Sequence, residues 1–316
     1  MILNTAVETM TQSEKTALQS QQLKTLIERV YKKTSFYQKR MDSIGLMPAD
    51  IQRVQDISKL PFMTAADLSA NYPFGLLTIP LSSIARVQIT TDIRGAIGFT
   101  RQDITAQIEM IARSLVACHI TSNSVLKILP TDFDTGLQQA AESLGITVIS
   151  GCKDNVHSQI KTILDFGVTT LFSSPIPLLQ LADFLKKHSF STHDLPLMNL
   201  VCEARLCPAS IRDELMAKFQ IPIYTLYGRA DIMSLGISGE CHQQHGLHIH
   251  EDHFYPEIID PHTAAVVADH QPGELVLTTL SREATPLIRY RTGEFAVLAR
   301  ERCSCDRTSA RLTFIT

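Results

Sequence analysis

The stretch Gly239–Pro261, GECHQQHGLHIHEDHFYPEIIDP, decides how this chain is read, together with RYRTGE at 289–294 and RCSCD at 302–306. Within it Cys241 and His248 stand on either side of a turn at Gly246, and Cys303 and Cys305 follow much later with one serine between them. Two short loops can therefore each supply a pair of ligands. Three thiolates and one imidazole form the closed tetrahedral set that structural zinc prefers, at roughly 2.3 Å to sulfur and 2.0–2.1 Å to nitrogen. Such a set has no open position for water, so the spacing predicts a structural zinc on Cys241, His248, Cys303 and Cys305. His242, His245, His250 and His253 leave a different imidazole open as a ligand, and a hydrolytic centre in this loop would need an exchangeable water on its metal. The bland alternative is four unrelated core and surface residues.

Upstream the chain alternates. Strand-like VLKIL (125–129), ITVIS (146–150), TTLFSS (169–174), MNLVC (198–202) and IYTLY (223–227) are separated by helical stretches of about a dozen residues. Short apolar strands alternating with helices predict an α/β fold with largely parallel sheets covered on both faces, whose ligands sit beyond the carboxyl ends of the strands. Two further helices precede this part. One runs over 13–33, with Thr11 or Ser13 as N-cap and Leu18, Leu23, Leu26, Ile27 and Val30 on one face; the other, QDITAQIEMIARSL, aligns Ile104, Ile108, Ile111 and Leu115. From about Gly236 the helical period gives way to short β-like pieces: LHI, YPEIID, ELVLTTL, FAVLA and RLTFIT. The expected division is an α/β part over 1–235 and a β-rich, zinc-bearing subdomain over 236–316. No internal repeat or low-complexity segment interrupts it.

Composition bounds the partners. A chain of 316 residues with 44% hydrophobic and 19% charged residues can bury a sizeable core. A net charge of −3 without a basic run leaves no footprint for nucleic acid, and no apolar run reaches the ~18 residues that span a bilayer. With no leader-like N-terminus, the expected location is the cytoplasm. Seven cysteines, an odd number, argue against a disulfide framework; Cys118, Cys152, Cys202 and Cys207 read as buried thiols.

The segments GLHIHEDHFYPEIIDP, GELVLTTL and TPLIRYRTGE, and FYQKRMDSIGLMPADIQRVQDISKLPFMTAADLSANYPFGLL near the start, resemble phenylacetate-coenzyme A ligases of the adenylate-forming superfamily over nearly all of the chain. The resemblance implies the family's large N-terminal domain, with a Cys/His metal set like the one above. It implies ATP or AMP with magnesium as cofactors and a small, for instance aromatic, carboxylic acid as substrate. In that family the acid closing RYRTGE holds the ribose hydroxyls; here Glu294 stands where aspartate is usual, and Arg291 before it is expected, with Asp231, to be catalytic. The alternative for this motif is a salt-bridged turn of Arg289, Arg291 and Glu294. LYGRADI (226–232) falls on a YGxSE-like loop, which places Tyr227 and Gly228 at the adenine and Asp231 at magnesium. Arg229 beside it can either pair with phosphate or neutralise Asp231 and close the site.

Two parts of the family pattern are altered. The Ser/Thr/Gly-rich phosphate loop with its lysine becomes RVQITTDIRGAIGFT, in which only Thr90, Thr91 and Gly95 keep the pattern, and the GAE-type motif becomes CEARLC, with Arg205 on the glutamate position. The sequence is also expected to lack the mobile C-terminal domain, which supplies a catalytic lysine and completes the coenzyme A tunnel. Two functions follow as expectations: acyl-adenylate formation, with a separate acyl acceptor or C-terminal-domain protein finishing the reaction, or a non-catalytic descendant that binds a small acid or a partner protein. The resemblance also implies a homodimer.

Overall fold

The computed structural model describes residues 1–90, 94–129, 134–150 and 155–315; Thr91 and Cys152 lie outside the described residues. The chain opens with a single turn, α1 (Thr5–Glu8), and a long helix, α2 (Gln12–Lys33). Thr11 starts α2 because its hydroxyl accepts from the amide of Glu14 (3.3 Å) while the Glu14 carboxylate accepts from the amide of Thr11 (2.8 Å). Two donors that the first turn leaves orphaned are satisfied together. Leu23, Leu26, Ile27 and Val30 bury the predicted face, whereas Leu18 is only half-covered and the polar Lys15 and Gln19 are buried. The reason is tertiary: Lys15 Nζ pairs with Glu251 Oε2 at 2.5 Å and Gln19 Nε2 donates to the Glu251 carbonyl at 2.8 Å.

Two shorter helices follow, α3 (Ser35–Asp42) and α4 (Ala65–Ala70), then an antiparallel hairpin of β1 (Arg86–Thr90) and β2 (Gly95–Phe99) that forms a two-stranded sheet of its own. Helix α5 (Arg101–Ala117) is capped by Thr100 and Asp103 as α2 is by Thr11 and Glu14. Its second half, Met110 to Ala117, is buried all round, because it packs between core layers and not against one face only.

The predicted alternation then appears: β3 (Val125–Ile128), α6 (Asp134–Ser143), β4 (Thr147–Ile149), α7 (Val156–Asp165), β5 (Thr170–Phe172), α8 (Pro175–Lys187), β6 (Asn199–Glu203), α9 (Ala209–Phe219) and β7 (Ile223–Arg229). These strands pair in parallel in the order β4-β3-β5-β6-β7. One face packs Leu126, Val201 and Leu226 on α5 and α6; the other packs Leu171, Leu200 and Ile223 on α7, α8 and α9. Helices on both faces explain why the strands read as unbroken apolar runs.

The remaining strands, β8 (Met233–Glu240), β9 (Leu247–Ile249), β10 (Phe254–Ile259), β11 (Gly273–Thr279), β12 (Tyr290–Ala299) and β13 (Arg311–Phe314), are antiparallel. They continue the same sheet, giving 11 strands in the order β10-β11-β12-β13-β9-β8-β7-β6-β5-β3-β4. Strand β7 is the switch: parallel to β6 on one side and antiparallel to β8 on the other. The sequence boundary at 235 falls within β8, so the α/β part and the β-rich part share one sheet. Among the described residues no helix is long and apolar enough to cross a membrane.

Candidate functional site

The carboxyl end of β7 gathers the nucleotide candidates. Tyr227 and Gly228 lie on β7, and Asp231 sits in the turn to β8. A Cβ on Gly228 would stand 1.3 Å from the Ser234 carbonyl oxygen, so only glycine lets the two strands close at this bulge. Glu294 arrives from β12, where Gly293, at φ +71, breaks the register with β11. The Tyr227 hydroxyl donates to Glu294 Oε2 at 2.5 Å. Burial, and then the charge of Glu294, push this phenol well above its usual range, so it stays a donor. Arg229 forks onto Asp231, Nε to Oδ1 at 2.8 Å and Nη2 to Oδ2 at 2.7 Å, and the Tyr290 hydroxyl donates to Asp231 Oδ2 at 2.5 Å.

Two guanidiniums also face Glu294: Arg205 Nε is 2.5 Å and Arg229 Nη1 2.9 Å from Oε1. Both guanidiniums approach the same oxygen, so the Glu294 carboxylate is charge-compensated in this structure. Glu203, which ends β6 beneath Arg205, has its carboxyl pushed up to about 7, by burial first and also by the charge of Glu294. A cavity of about 330 Å³ opens beside this cluster, lined by Ala204, Cys207, Thr225 and Phe314 among others; the Phe314 and Tyr227 rings are 4.7 Å apart.

Arg291 is elsewhere. Strand alternation turns it away from Tyr290, and its Nε donates to Glu274 at 2.9 Å. Arg289 forks onto Glu257 at 3.1 and 2.8 Å, so Arg289, Arg291 and Glu294 each take a different partner and form no common turn. Thr90 ends β1, where its hydroxyl accepts from the Gly95 amide at 3.1 Å within the hairpin. The hairpin reaches the β7–β8 turn through Gln88, which donates to the Ala230 carbonyl and accepts from Ser234, both at 2.9 Å. The sequence singled out neither Tyr290 nor Glu203; two-residue alternation along RYRTGE was the signal available for Tyr290.

The Cys/His set converges as its spacing predicted. Ligand atoms of Cys241, His248, Cys303 and Cys305 all lie within 4.8 Å of one another, and all four residues are buried. Bonds of roughly 2.3 Å to sulfur and 2.0–2.1 Å to nitrogen at a tetrahedral angle require about 3.8 Å between sulfurs and about 3.6 Å between sulfur and nitrogen. Cys241 and Cys303 Sγ are 3.9 Å apart, and Cys305 Sγ is 3.4 Å from His248 Nε2. The other ring nitrogen of His248 lies 3.0 Å from the Ser309 hydroxyl, the outer contact that orients a metal-ligating imidazole. Hydrogen bonding with His248 holds the Cys303 thiol below its usual range, while the hydrogen bond shared by Cys305 and Cys241 pushes Cys305 down and Cys241 up. The donor set and its spacing fit a tetrahedral metal ion. Of the competing imidazoles, His250 contacts Ser114, His253 contacts Ser281 and Asp252, His242 stacks on His119, and His245 is exposed outside the cluster.

This mixed sheet, with helices on both faces of its parallel half, is also the fold of solved coenzyme A ligases. A solved structure of 2-hydroxyisobutyryl-CoA ligase, in complex with 2-HIB-AMP and CoA, superposes with a TM-score of 0.87 over 96% of this chain and 70% of that one, at 21% identity, which establishes the fold. Phenylacetate-coenzyme A ligase of Thermus thermophilus is 33% identical over 321 residues, covering 99% of this chain and 72% of that protein. The Escherichia coli protein of the same name is 32% identical over 328 residues, covering 98% and 75%. The chain belongs to the phenylacetate-coenzyme A ligase family. No protein-family model matches the sequence.

Proposed function

We propose that this chain binds ATP with magnesium and a small carboxylic acid at the carboxyl end of β7 and joins them as an acyl adenylate. A carboxylate oxygen of the acid bonds to the α-phosphorus as the bond to pyrophosphate breaks. Glu294 receives the ribose hydroxyls, Tyr227 borders the adenine, and Asp231 holds the magnesium once Arg229 turns from it to phosphate. The supporting observation is the convergence at the carboxyl end of β7, where Tyr227 donates to Glu294 and Arg229 spans Glu294 and Asp231. The Cys/His set is read as holding zinc, a closed structural ion that fastens the β-rich part. An aromatic acid is the family's substrate class, and the neighbouring cavity, bordered by Phe314, suits one.

A second reading, a descendant that binds ligands without turnover, is favoured by the fork of Arg229 on Asp231, which occupies both oxygens magnesium would take. Calorimetric titration with ATP and magnesium separates binding from its absence, and pyrophosphate exchange with candidate acids separates turnover from binding. Micromolar binding is expected, weakened about ten- to a hundredfold in Glu294→Ala, since a hydrogen bond to a charged group contributes about 1.5–3 kcal/mol. Absence of binding at millimolar ATP overturns the nucleotide reading, and binding without exchange selects the second one.

A further inference from the structure

The ligand cysteines lie against a charged pair that the nucleotide site does not use. Arg307 is buried at 3% exposure and Glu8 at 6%, and the Arg307 Nε donates to Glu8 Oε2 at 2.6 Å. The same guanidinium points Nη1 at Cys305 Sγ, 3.7 Å away, and donates from Nη2 to the Met1 carbonyl at 2.8 Å. The other oxygen of Glu8 gathers the first residues by accepting from the amides of Leu3 and Asn4, at 2.9 and 2.7 Å. Backbone contacts close the joint: Thr308 N donates to the Glu8 carbonyl at 3.1 Å, and Cys303 N to the Arg307 carbonyl at 3.1 Å.

A divalent ion held by three thiolates and a neutral imidazole leaves the centre with one net negative charge. Buried charge of that kind demands a partner. Arg307 is in hydrogen-bond contact with a ligand sulfur; Glu8 cancels its formal charge but holds the guanidinium so that Nη1 points at Cys305, and what reaches the sulfur is a hydrogen bond. We infer that Arg307 is an outer-sphere positioning residue for the Cys/His metal centre, donating to the Cys305 thiolate, and that through the Arg307–Glu8 pair the metal orders the N-terminal segment 1–10. Coupling of this kind runs both ways: the ion fastens the segment, and the docked segment retains the ion. The inference rests on a metal occupying the Cys/His set.

Three measurements on the full-length protein test it. Elemental analysis of the purified protein comes first; a preparation without a stoichiometric ion removes the metal assignment and this inference with it. With the ion present, hydrogen exchange of residues 3–9 is followed before and after chelation, with α8, remote in sequence and without a contact to the centre, as reference. Exchange in 3–9 is expected to accelerate at least tenfold while α8 is unchanged. Metal transfer to a colorimetric chelator is then timed for Arg307→Gln and Arg307→Lys. Outer-sphere changes at metal sites typically weaken retention 10- to 100-fold. Both variants are expected to release the ion about tenfold faster or more, since lysine keeps the charge but cannot reach Cys305, Glu8 and Met1 together. Unchanged protection of 3–9 after chelation, or release at the wild-type rate in both variants, overturns the coupling and leaves the metal assignment standing. If one variant fails to fold, the other decides.

Discussion

Glu203, at the end of β6, stands near Glu294, within β12, and the consequence is a titration inside the stability range. The folded-state value of Glu203, about 7, lies above its ordinary 4.5. The native protein therefore holds more protons than the unfolded chain between these values. Its stabilising contribution is complete below pH 4.5 and is lost as pH rises to about 7. At about 1.4 kcal/mol per unit the upper bound is about 3.5 kcal/mol. Glu203→Gln should flatten the fall of the denaturant midpoint over pH 4.5–7; an unchanged slope would show that Glu203 is not its source. Residue identities at this site were partly legible. Tyr227, Asp231 and Glu294 were picked from motif position and do meet, whereas Arg291 was picked by the same motif and does not, because strand alternation sends it to Glu274. The convergence of Arg205 on Glu294 joins positions that no spacing rule connects.

Among the elements, α2 shows what local chemistry can and cannot specify. Its start is written in Thr11 and Glu14, and Thr11→Ala should cost about 1 kcal/mol, read as a lower denaturant midpoint with unchanged slope. A cost below the scatter of the measurement would mean that tertiary contacts alone hold the first turn. Its buried face was legible from Leu23 to Val30. The polar row of Lys15, Gln19 and Gln22 was not, because its partners, Glu251 and Asp252, lie in a loop far along the chain. The same limit applies to α5. Its sequence shows one apolar face, and burial on all sides follows only from packing that includes Arg113, which forks onto Asp252 at 3.1 and 2.9 Å.

For the whole molecule, the Cys/His set ties the turn after β8 and strand β9 to the loop between β12 and β13, two places joined otherwise by the short pairing of β13 with β9. An ion at a thousandfold its dissociation constant stabilises by about 4 kcal/mol. Chelation, or Cys303→Ser, should then lower the melting temperature by about 6 °C at this chain length. A melting temperature indifferent to both would show that the ion contributes no stability. The joint matters to the site as well, since Glu294 on β12 must meet Tyr227 on β7 across β13, β9 and β8.

The sequence by itself determined the alternation of strands and helices, the capped start of α2, the four clustered Cys and His residues and the family. Each of these depends on residues close in the chain, on a repeating period, or on motifs that survive as short words. Tertiary structure alone decided that the two halves share one sheet, that Arg205 and Arg229 both face Glu294, and that Arg307 links the cysteines to Glu8. These are contacts between charged groups far apart in sequence, and such pairs have no period to read: their energy depends on distance and burial, which exist only once the chain has folded.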